Sequence, residues 1–303
     1  MPLPDRNRCL DIFREVFAEH LNTDDCMEFY SNRKQNGIET FLRSTVSSCD
    51  KLTAVILEEY RVKSKMGGNV IVVLPDPNYD VPIFSFQIGG NATQSIGLLD
   101  ISPTLRDTDY APLQDTFNKY RDLLSMGEPK VEWVTSISSP CLLHCQYGEL
   151  DEDLFIEAMG EYLKIWVDNY YLSGKQLSDP AAIEQATNAV YKFKHVLHDN
   201  DPAYGIFAKA WGKPVADAFF YLETHQYPPL PEPPGDKSHF RAWKDSARNI
   251  LWTREAQEYV MQAPERVHPL IRQSVEDRAA ESGIGIITPE VLEQYIGQRP
   301  DSV

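Results

Sequence analysis

Two acidic positions in the sequence are candidates for proton transfer. Glu58 and Glu59 are consecutive residues of a stretch predicted to be a strand, so their side chains point to opposite faces of a sheet. Asp201 follows a predicted helix and precedes Pro202, a pair typical of the start of the next helix. A carboxyl group at either position is a candidate acid if burial raises its pKa. Each position also has a structural interpretation, a solvated strand face for one glutamate and a helix cap for Asp201.

Other residues that can do chemistry do not form a metal or nucleotide motif. Cys141, His144 and Cys145 cannot all share one face of a strand, because side chains alternate with period two, so a metal site is not expected there. Gly89 and Gly90 have two interpretations, a turn at a strand end and a close approach of the backbone to a ligand. The sequence has no glycine-rich phosphate loop and no HExxH, CxxC or GxSxG motif. A bound ligand is therefore expected to bring its own chemistry.

The charge of the chain limits its partners. The formal net charge is −16, whereas nucleic-acid binding needs a basic surface that neutralises phosphates, and an anionic membrane surface is disfavoured for the same reason. No run of about 18 apolar residues and no secretory signal is present, so we expect a cytoplasmic protein without a membrane span. The five cysteines are scattered, and we expect them to be reduced and structural.

The spacing of apolar residues changes along the chain from helical to strand-like and back. Residues 9–44 predict an opening helical layer. Four β-branched and aromatic runs between 53 and 103, separated by Gly, Pro, Asn and Asp, predict antiparallel strands joined by short turns. A further strand is predicted at 138–147, and helices at 110–125, 150–173, 180–198 and 203–225. The predicted fold class is α/β, a three-layer α/β/α sandwich with a central antiparallel sheet.

A proline-rich segment divides the chain. Residues 226–237, QYPPLPEPPGDK, contain five prolines and one glycine and predict a stiff linker. We therefore predict a large domain over 1–228, a linker over 229–240 and a small domain over 241–303. The small domain is expected to be a compact three-helix unit, with Thr253 and Thr288 as N-caps and Pro289 at the first position of the last helix.

Three segments of the large domain together resemble a known family. They are LPDPNYDVPIFSFQIGGNATQSIGLLDISPTLRD at 74–107, NDPAYGIFAKAWGK at 200–213 and FFYLETHQYP at 219–228. On these motifs residues 50–228 resemble the ferredoxin-dependent bilin reductases, with a closer fit to members that form phycoerythrobilin precursors. The resemblance implies that an open-chain tetrapyrrole lies between the sheet and the C-terminal helices. It also implies no bound cofactor or metal, electrons taken singly from reduced ferredoxin, and protons from nearby acidic residues.

The resemblance assigns roles to individual residues. Asp201 matches a helix-start aspartate that several family members use as a proton donor, and Asn200 lies beside it. Glu58 aligns with a strand glutamate near the substrate, and Ser95 with a serine that touches a propionate. The expected catalytic residues are therefore Asp201 and Glu58, with Asn200 and Ser95 in substrate binding.

Two positions depart from the family pattern. Gln87 stands where the family commonly has a strand aspartate, and Val70 stands where the phycocyanobilin-forming enzyme has a catalytic histidine. Glutamine forms hydrogen bonds with pyrrole NH groups and lactam oxygens but does not deliver a proton at neutral pH. Two hypotheses follow. The first is a bilin reductase in which Asp201, alone or with Glu58, supplies the protons. The second is a tetrapyrrole-binding or assembly factor of chlorophyll or bacteriochlorophyll biosynthesis that does not reduce the pigment. Reduction of a chlorophyll breakdown product is a variant of the first.

The C-terminal part has a resemblance of its own. Residues 250–298, with Trp252, Pro264, Gly283 and the run ITPEV at 287–291, look like the small C-terminal domain of a light-independent protochlorophyllide reductase subunit. This resemblance implies a chlorophyll-biosynthesis protein as a possible partner. A general dimerisation or docking unit is the alternative.

An acidic ferredoxin needs a local basic patch on this acidic chain. Five basic residues are candidates, three expected to alternate onto one face of a strand and two on a helix: Arg61, Lys63, Lys65, Lys192 and Lys194. A solvated strand face is the alternative interpretation of the first three.

Overall fold

Seven strands form one antiparallel sheet in which spatial order follows chain order. In this computed structural model they are β1 (Asn22–Gln35), β2 (Ile38–Cys49), β3 (Leu52–Val62), β4 (Met66–Pro75), β5 (Ile83–Gly90), β6 (Ser95–Ser102) and β7 (Leu143–Gly148). The structure describes residues 5–35, 38–63, 65–126, 131–148, 150–201, 203–212, 215–216, 219–220, 223, 240–242, 251–261, 268–282, 284 and 286–296. The chain is thus of the α/β class, with helices packed on an antiparallel sheet.

Among the described residues before residue 224, one helix precedes the strands of this sheet, two lie between its sixth and seventh strands, and the others follow its last strand. The helices are α1 (Arg8–Phe17), α2 (Ala111–Leu123), α3 (Glu132–Thr135), α4 (Glu152–Trp166), α5 (Pro180–Asn200) and α6 (Ala203–Trp211), with one π-helical turn at Val167–Tyr171 after α4. Residues 215–216, 219–220 and 223 are also helical. The predicted strands at 53–103 and the predicted helices at 110–125 and 180–198 are confirmed. Of the strand predicted at 138–147, residues 143–147 belong to β7 and residues 138–142 are not strand.

Side-chain alternation along the strands separates two hydrophobic clusters. On β4, Ile71 and Val73 belong to a first cluster with α1, α2 and α4, whereas Val70 and Val72 belong to a second cluster with α5 and α6. This is the pattern of a strand buried on both faces. The first cluster is centred on Trp166, whose indole Nε1 donates a 2.9 Å hydrogen bond to the Pro82 carbonyl oxygen.

The helical layer predicted at residues 9–44 is wrong beyond its first turns. Helix α1 ends at Phe17, and β1 and β2 occupy the rest of that segment. On β2, Leu42, Ser44 and Val46 are buried while the residues between them are more exposed, which is strand periodicity. Apolar residues have the spacing of a helix only over α1. The strands that follow contain many polar residues, so their alternation is hard to recognise in the sequence.

The C-terminal part contains helices α7 (Arg254–Met261), α8 (His268–Ser282) and α9 (Pro289–Ile296). Thr253 and Thr288 cap α7 and α9, accepting hydrogen bonds at Oγ1 from the backbone N–H groups of Ala256 and Val291, as predicted. Three short strands that the sequence analysis does not predict, β8 (Phe240–Ala242), β9 (Leu251–Thr253) and β10 (Ile286–Ile287), pair beside these helices.

The C-terminal elements have a hydrophobic cluster of their own. Trp252 is fully buried in it, and its Nε1 donates a 3.0 Å hydrogen bond to Glu276 Oε1. The predicted linker lies outside the described residues, apart from Phe240 at its last position. Across the described part of the chain, no helix is long and apolar enough to cross a membrane.

Candidate active site

A row of directly opposed residues crosses the sheet from β2 to β7. Its members pair strand by strand in the register of the sheet: Ser44, Glu58, Val70, Gln87, Leu98 and His144. Opposed residues of an antiparallel pair project from the same face. Because Val70 packs in the second cluster, the whole row faces the side of the sheet that carries α5 and α6.

Glu58 is the fully buried acid of this row. Its Oε1 accepts a 3.0 Å hydrogen bond from Ser44 Oγ, while its Oε2 has no hydrogen-bond partner among the described residues. Burial raises the pKa of Glu58 well above the usual range, and the nearby Glu223 and Asp201 raise it further. The Ser44 hydrogen bond acts in the opposite direction. Burial therefore favours the protonated form of Glu58, while Glu59 is only partly buried on the other face.

Asp201 is both a helix cap and a buried carboxyl group. It follows α5, and its Oδ1 accepts a 2.7 Å hydrogen bond from the backbone N–H of Ala203 at the start of α6, so it is a helix cap. Its side chain is also buried, and burial raises its pKa to about 6 although the backbone hydrogen bond lowers it. A carboxyl group with this pKa exchanges its proton near neutral pH.

Glu223 is a third buried acid, which the sequence analysis does not single out. It is 2% exposed, and its Oε2 has no hydrogen-bond partner among the described residues. Burial raises its pKa well above the usual range, with a further contribution from Asp201. One sequence signal was available: Glu223 lies three and four residues after Phe220 and Phe219, both buried, so it falls on the apolar face of a helix.

The acids border two small cavities between the sheet and the second group of helices. The first, of about 80 Å³, is lined by Tyr60, Gln87, Trp133, His144 and Asp201 among others, and we call it the Asp201 cavity. The second, of about 30 Å³, is lined by Val70, Ser85, Gln87, Trp133 and Glu223 among others, and we call it the Glu223 cavity. Gln87 and Trp133 line both, so the two cavities are adjacent, one lined by Asp201 and the other by Glu223.

The two departures from the family pattern both lie in this region. Val70 is 4% exposed and borders the Glu223 cavity, while the amide of Gln87 is half-buried. His144 faces the Asp201 cavity from β7, and burial lowers its pKa, so its imidazole is neutral at neutral pH. Sequence alternation was sufficient to separate His144 from its buried neighbour Leu143, but it did not indicate that a cavity lies on the His144 side.

The glycine pair at the end of β5 has a packing role. The Tyr60 ring lies over Gly68 and Gly89, and a Cβ atom added at Gly68 would come within 2.6 Å of the Tyr60 hydroxyl oxygen. Gly90 has a φ of 140°, which is the turn conformation expected at a strand end. The absence of side chains at Gly68 and Gly89 therefore lets Tyr60 lie flat beside the Asp201 cavity.

Ser95 and Asn200 are not brought together with the acids. Ser95 Oγ donates to Glu152 Oε1 on α4, which also pairs with the buried Arg6, so Ser95 faces the other side of the sheet. Asn200 is exposed, and its Nδ2 donates a 2.9 Å hydrogen bond to the Val196 carbonyl oxygen in its own helix. Their expected contacts with substrate stay predictions.

The prediction of a basic strand face that docks ferredoxin is wrong in one respect. Strand β3 ends at Val62, and Lys63 has a φ of 50° in the turn that follows, so Lys63 and Lys65 are not strand residues. Arg61, Lys63 and Lys65 are nevertheless all exposed at this end of β3. A positively charged turn therefore replaces the expected strand face.

Comparisons with known proteins identify one family. A family model described as ferredoxin-dependent bilin reductase matches residues 12–222. Phycocyanobilin:ferredoxin oxidoreductase of Synechococcus sp. (strain CC9902) is 26% identical over 206 residues, which cover 65% of this chain and 80% of that protein. Phycoerythrobilin:ferredoxin oxidoreductase of Nostoc punctiforme is 23% identical over 178 residues, which cover 54% and 69%. These identities do not support the expected closer fit to phycoerythrobilin-forming members.

The crystal structure of tomato phytochromobilin synthase in complex with biliverdin has a similar fold. The TM-score is 0.59 at 16% sequence identity, and the match covers 73% of this chain and 82% of that one. At this identity the likeness concerns the fold. Among the described residues, no group of three His, Cys, Asp or Glu side chains is placed to hold a metal ion.

Proposed function

Since the chain belongs to the ferredoxin-dependent bilin reductase family, we propose that it reduces a linear tetrapyrrole with electrons from ferredoxin and protons from buried carboxyl groups. The observation that carries the proposal is the group of acids Glu58, Asp201 and Glu223 on one face of the sheet, where their pKa values are raised. A raised pKa increases the protonated fraction of a carboxyl group near neutral pH, and the protonated form is the state that a proton donor needs.

The substrate site is proposed between the sheet and helices α5 and α6, in a three-layer α/β/α arrangement. The separate hydrophobic clusters on the two faces of β4 support that arrangement. Cavities of about 80 and 30 Å³ are smaller than the pockets of roughly 300 to 1,000 Å³ that hold ligands of this class. Entry of a tetrapyrrole therefore requires lining side chains to move, above all Trp133, which borders both cavities.

Gln87 is proposed to orient the pigment rather than to protonate it. Its amide lines both cavities and offers a donor and an acceptor, which match a pyrrole N–H and a lactam oxygen. Val70 contributes only apolar contact on the same row. Asp201 and Glu58 then remain as proton donors among the residues that the family resemblance selects.

The electrons come singly from reduced ferredoxin, and the chain itself supplies protons and orientation. The exposed basic residues Arg61, Lys63 and Lys65 after β3 are proposed to contact the acidic ferredoxin. Reversing the charge of Lys63 and Lys65 should then slow electron transfer and weaken its salt dependence. Equal rates and equal salt dependence would place the docking surface elsewhere.

The test is an anaerobic absorbance titration of the full chain with biliverdin and with 15,16-dihydrobiliverdin, followed by reduced ferredoxin. A spectral shift on binding and a ferredoxin-dependent bleaching or blue shift are the expected results. Tight binding without any ferredoxin-dependent change would contradict the reductase and leave a tetrapyrrole-binding or assembly factor. No binding of either bilin would mean that the fold is retained without the activity.

The C-terminal part enters the proposal only as a possible contact with another protein. The family match ends at residue 222, before α7 to α9 begin. Its resemblance to a protochlorophyllide reductase domain is therefore a separate hypothesis. Adding protochlorophyllide to the same titration addresses it, because a spectral shift that needs residues 241–303 is expected only if this part binds pigment.

A further inference from the structure

We infer that Glu223 is a catalytic acid of the proposed bilin reduction, and that its Oε2 gives a proton to the part of the pigment that enters the Glu223 cavity. The inference rests on the proposed function and deepens it. Nothing in the family resemblance assigns a role to Glu223, which lies after the helix-start aspartate motif.

The first reason is a buried carboxyl oxygen of Glu223 that has no hydrogen-bond partner among the described residues. Most buried polar atoms have a hydrogen-bond partner, because an unpaired one loses its hydration without compensation. Glu223 Oε2 has none among the described residues, and neither does Ser85 Oγ, which lines the same cavity. Both residues line a space that is otherwise largely apolar, and their unpaired polar atoms are suited to a ligand that carries polar groups.

The position of the cavity is the second reason. The Glu223 cavity shares Gln87, Leu98 and Trp133 with the Asp201 cavity. A pigment held at Gln87 therefore borders both spaces, one lined by Asp201 and the other by Glu223. Glu58 does not line either cavity, although Val70 beside it does. Direct contact with pigment is thus a stronger expectation for Glu223 than for Glu58.

The stoichiometry of the reaction leaves a role for a second donor. Reduction of one double bond of the bilin consumes two electrons and two protons. Two reduced ferredoxins each give one electron and become oxidised, two bonds to hydrogen form on the pigment, and two carboxylic acids become carboxylates. Solvent returns both protons after product leaves. Asp201 and Glu223 together satisfy this balance, and Glu58 remains a buried neighbour whose own protonated form is favoured by their charges.

The experiment compares Glu223→Gln with the wild-type chain in single turnover. The variant keeps the size of the side chain and removes its proton, so we expect biliverdin to bind with a similar absorbance shift. Reduction by excess reduced ferredoxin should slow by about 10² to 10⁴-fold, the usual contribution of general acid catalysis. Glu223→Asp keeps an acid and should retain more of the rate than Glu223→Gln.

A matched control is Glu276→Gln. Glu276 is also a buried glutamate, but it lies in the C-terminal part and accepts a hydrogen bond from Trp252, away from both cavities. Its variant should reduce bilin at the wild-type rate.

Two outcomes would overturn the inference while wild-type reduction is intact: reduction by Glu223→Gln at the wild-type rate, or loss of pigment binding with an unchanged rate in the bound fraction. Absence of reduction by the wild-type chain would instead contradict the proposed function.

Discussion

Ser44 on β2 donates a 3.0 Å hydrogen bond to the buried carboxyl group of Glu58 on the neighbouring strand. The bond satisfies one carboxyl oxygen and leaves the other without a partner among the described residues. The hydrogen bond favours the carboxylate form of Glu58, whereas burial favours the protonated form. It also fixes the orientation of the carboxyl group.

Ser44→Ala should lower the free energy of unfolding by about 1 kcal/mol, because a buried hydrogen bond is lost. The same change should raise the pKa of Glu58 further, since the Ser44 hydrogen bond lowers it. Urea unfolding of Ser44→Ala, alone and in a Glu58→Leu background, measures the coupling. Equal costs in the two backgrounds would show that Ser44 does not act through Glu58.

The buried acids should also determine how stability depends on pH. Glu223 has a folded pKa above its usual 4.5, so the folded state holds a proton that the unfolded chain releases. Its contribution to stability is therefore complete below pH 4.5 and is lost as pH rises toward the folded pKa. Glu223→Gln should match the wild type near pH 4 and exceed its free energy of unfolding by about 1 kcal/mol or more at pH 8. If the difference in free energy of unfolding between the two proteins is the same at pH 4 and pH 8, the raised pKa of Glu223 is contradicted.

Gly89→Ala should be destabilising because of Tyr60 and not because of the backbone. A Cβ atom at Gly89 would collide with the Tyr60 hydroxyl oxygen, whereas ring atom Cζ stays 3.5 Å away. We expect a loss of about 1 to 3 kcal/mol, the usual cost of overpacking, and its partial recovery in Gly89→Ala with Tyr60→Phe.

Gly68→Ala is the comparison for this double change. A Cβ atom there also meets the Ile88 carbonyl oxygen at 2.5 Å and Tyr60 Cζ at 2.7 Å, so Tyr60→Phe should not recover its stability. Thermal or urea unfolding of the two glycine variants, each alone and with Tyr60→Phe, measures these differences. Equal recovery at the two glycines would mean that the hydroxyl is not the cause.

Asp201→Asn should distinguish the helix-capping role of this side chain from its proposed role as a proton donor. Asparagine caps helices as well as aspartate does, so stability at pH 5, where the wild-type side chain with a pKa of about 6 is mostly protonated, should change little. The rate of bilin reduction should fall by about 10² to 10⁴-fold. Asp201→Ala should lose the rate and also about 1 kcal/mol of stability. A normal rate in Asp201→Asn would exclude Asp201 as a donor.

Gln87→Asp should introduce an acid between the two cavities. Burial would raise its pKa, so it would be available as a proton donor near neutral pH. We expect the variant to form a different set of bilin isomers. Chromatography of the products with absorbance detection measures this change. An unchanged product ratio together with an unchanged rate would show that position 87 does not contact the reacting part of the pigment.

Much of the strand and helix pattern was predictable, since it depends on neighbouring residues. The strands from β3 to β7, the caps Thr253 and Thr288, and the cap role of Asp201 follow from alternation and from local hydrogen-bonding groups. Strands β1 and β2 were not predicted, because their alternating residues are mostly polar and the apolar spacing of α1 was extended too far. Short strands β8 to β10 have too few residues for any periodicity.

The sequence by itself identified Glu58 and Asp201 as candidate acids, one on a strand and one at a helix start. It also determined that the side chains of Gln87 and Val70 have no acidic proton to donate. Only the tertiary structure decided which acids meet. Glu223 lies beside the same sheet face as Glu58, although they are far apart in the chain, and Ser95 projects to the opposite face from Gln87. The reason is physical: burial and charge interaction depend on distance in space, and the pKa of a carboxyl group reports the packing of elements that sequence spacing does not specify.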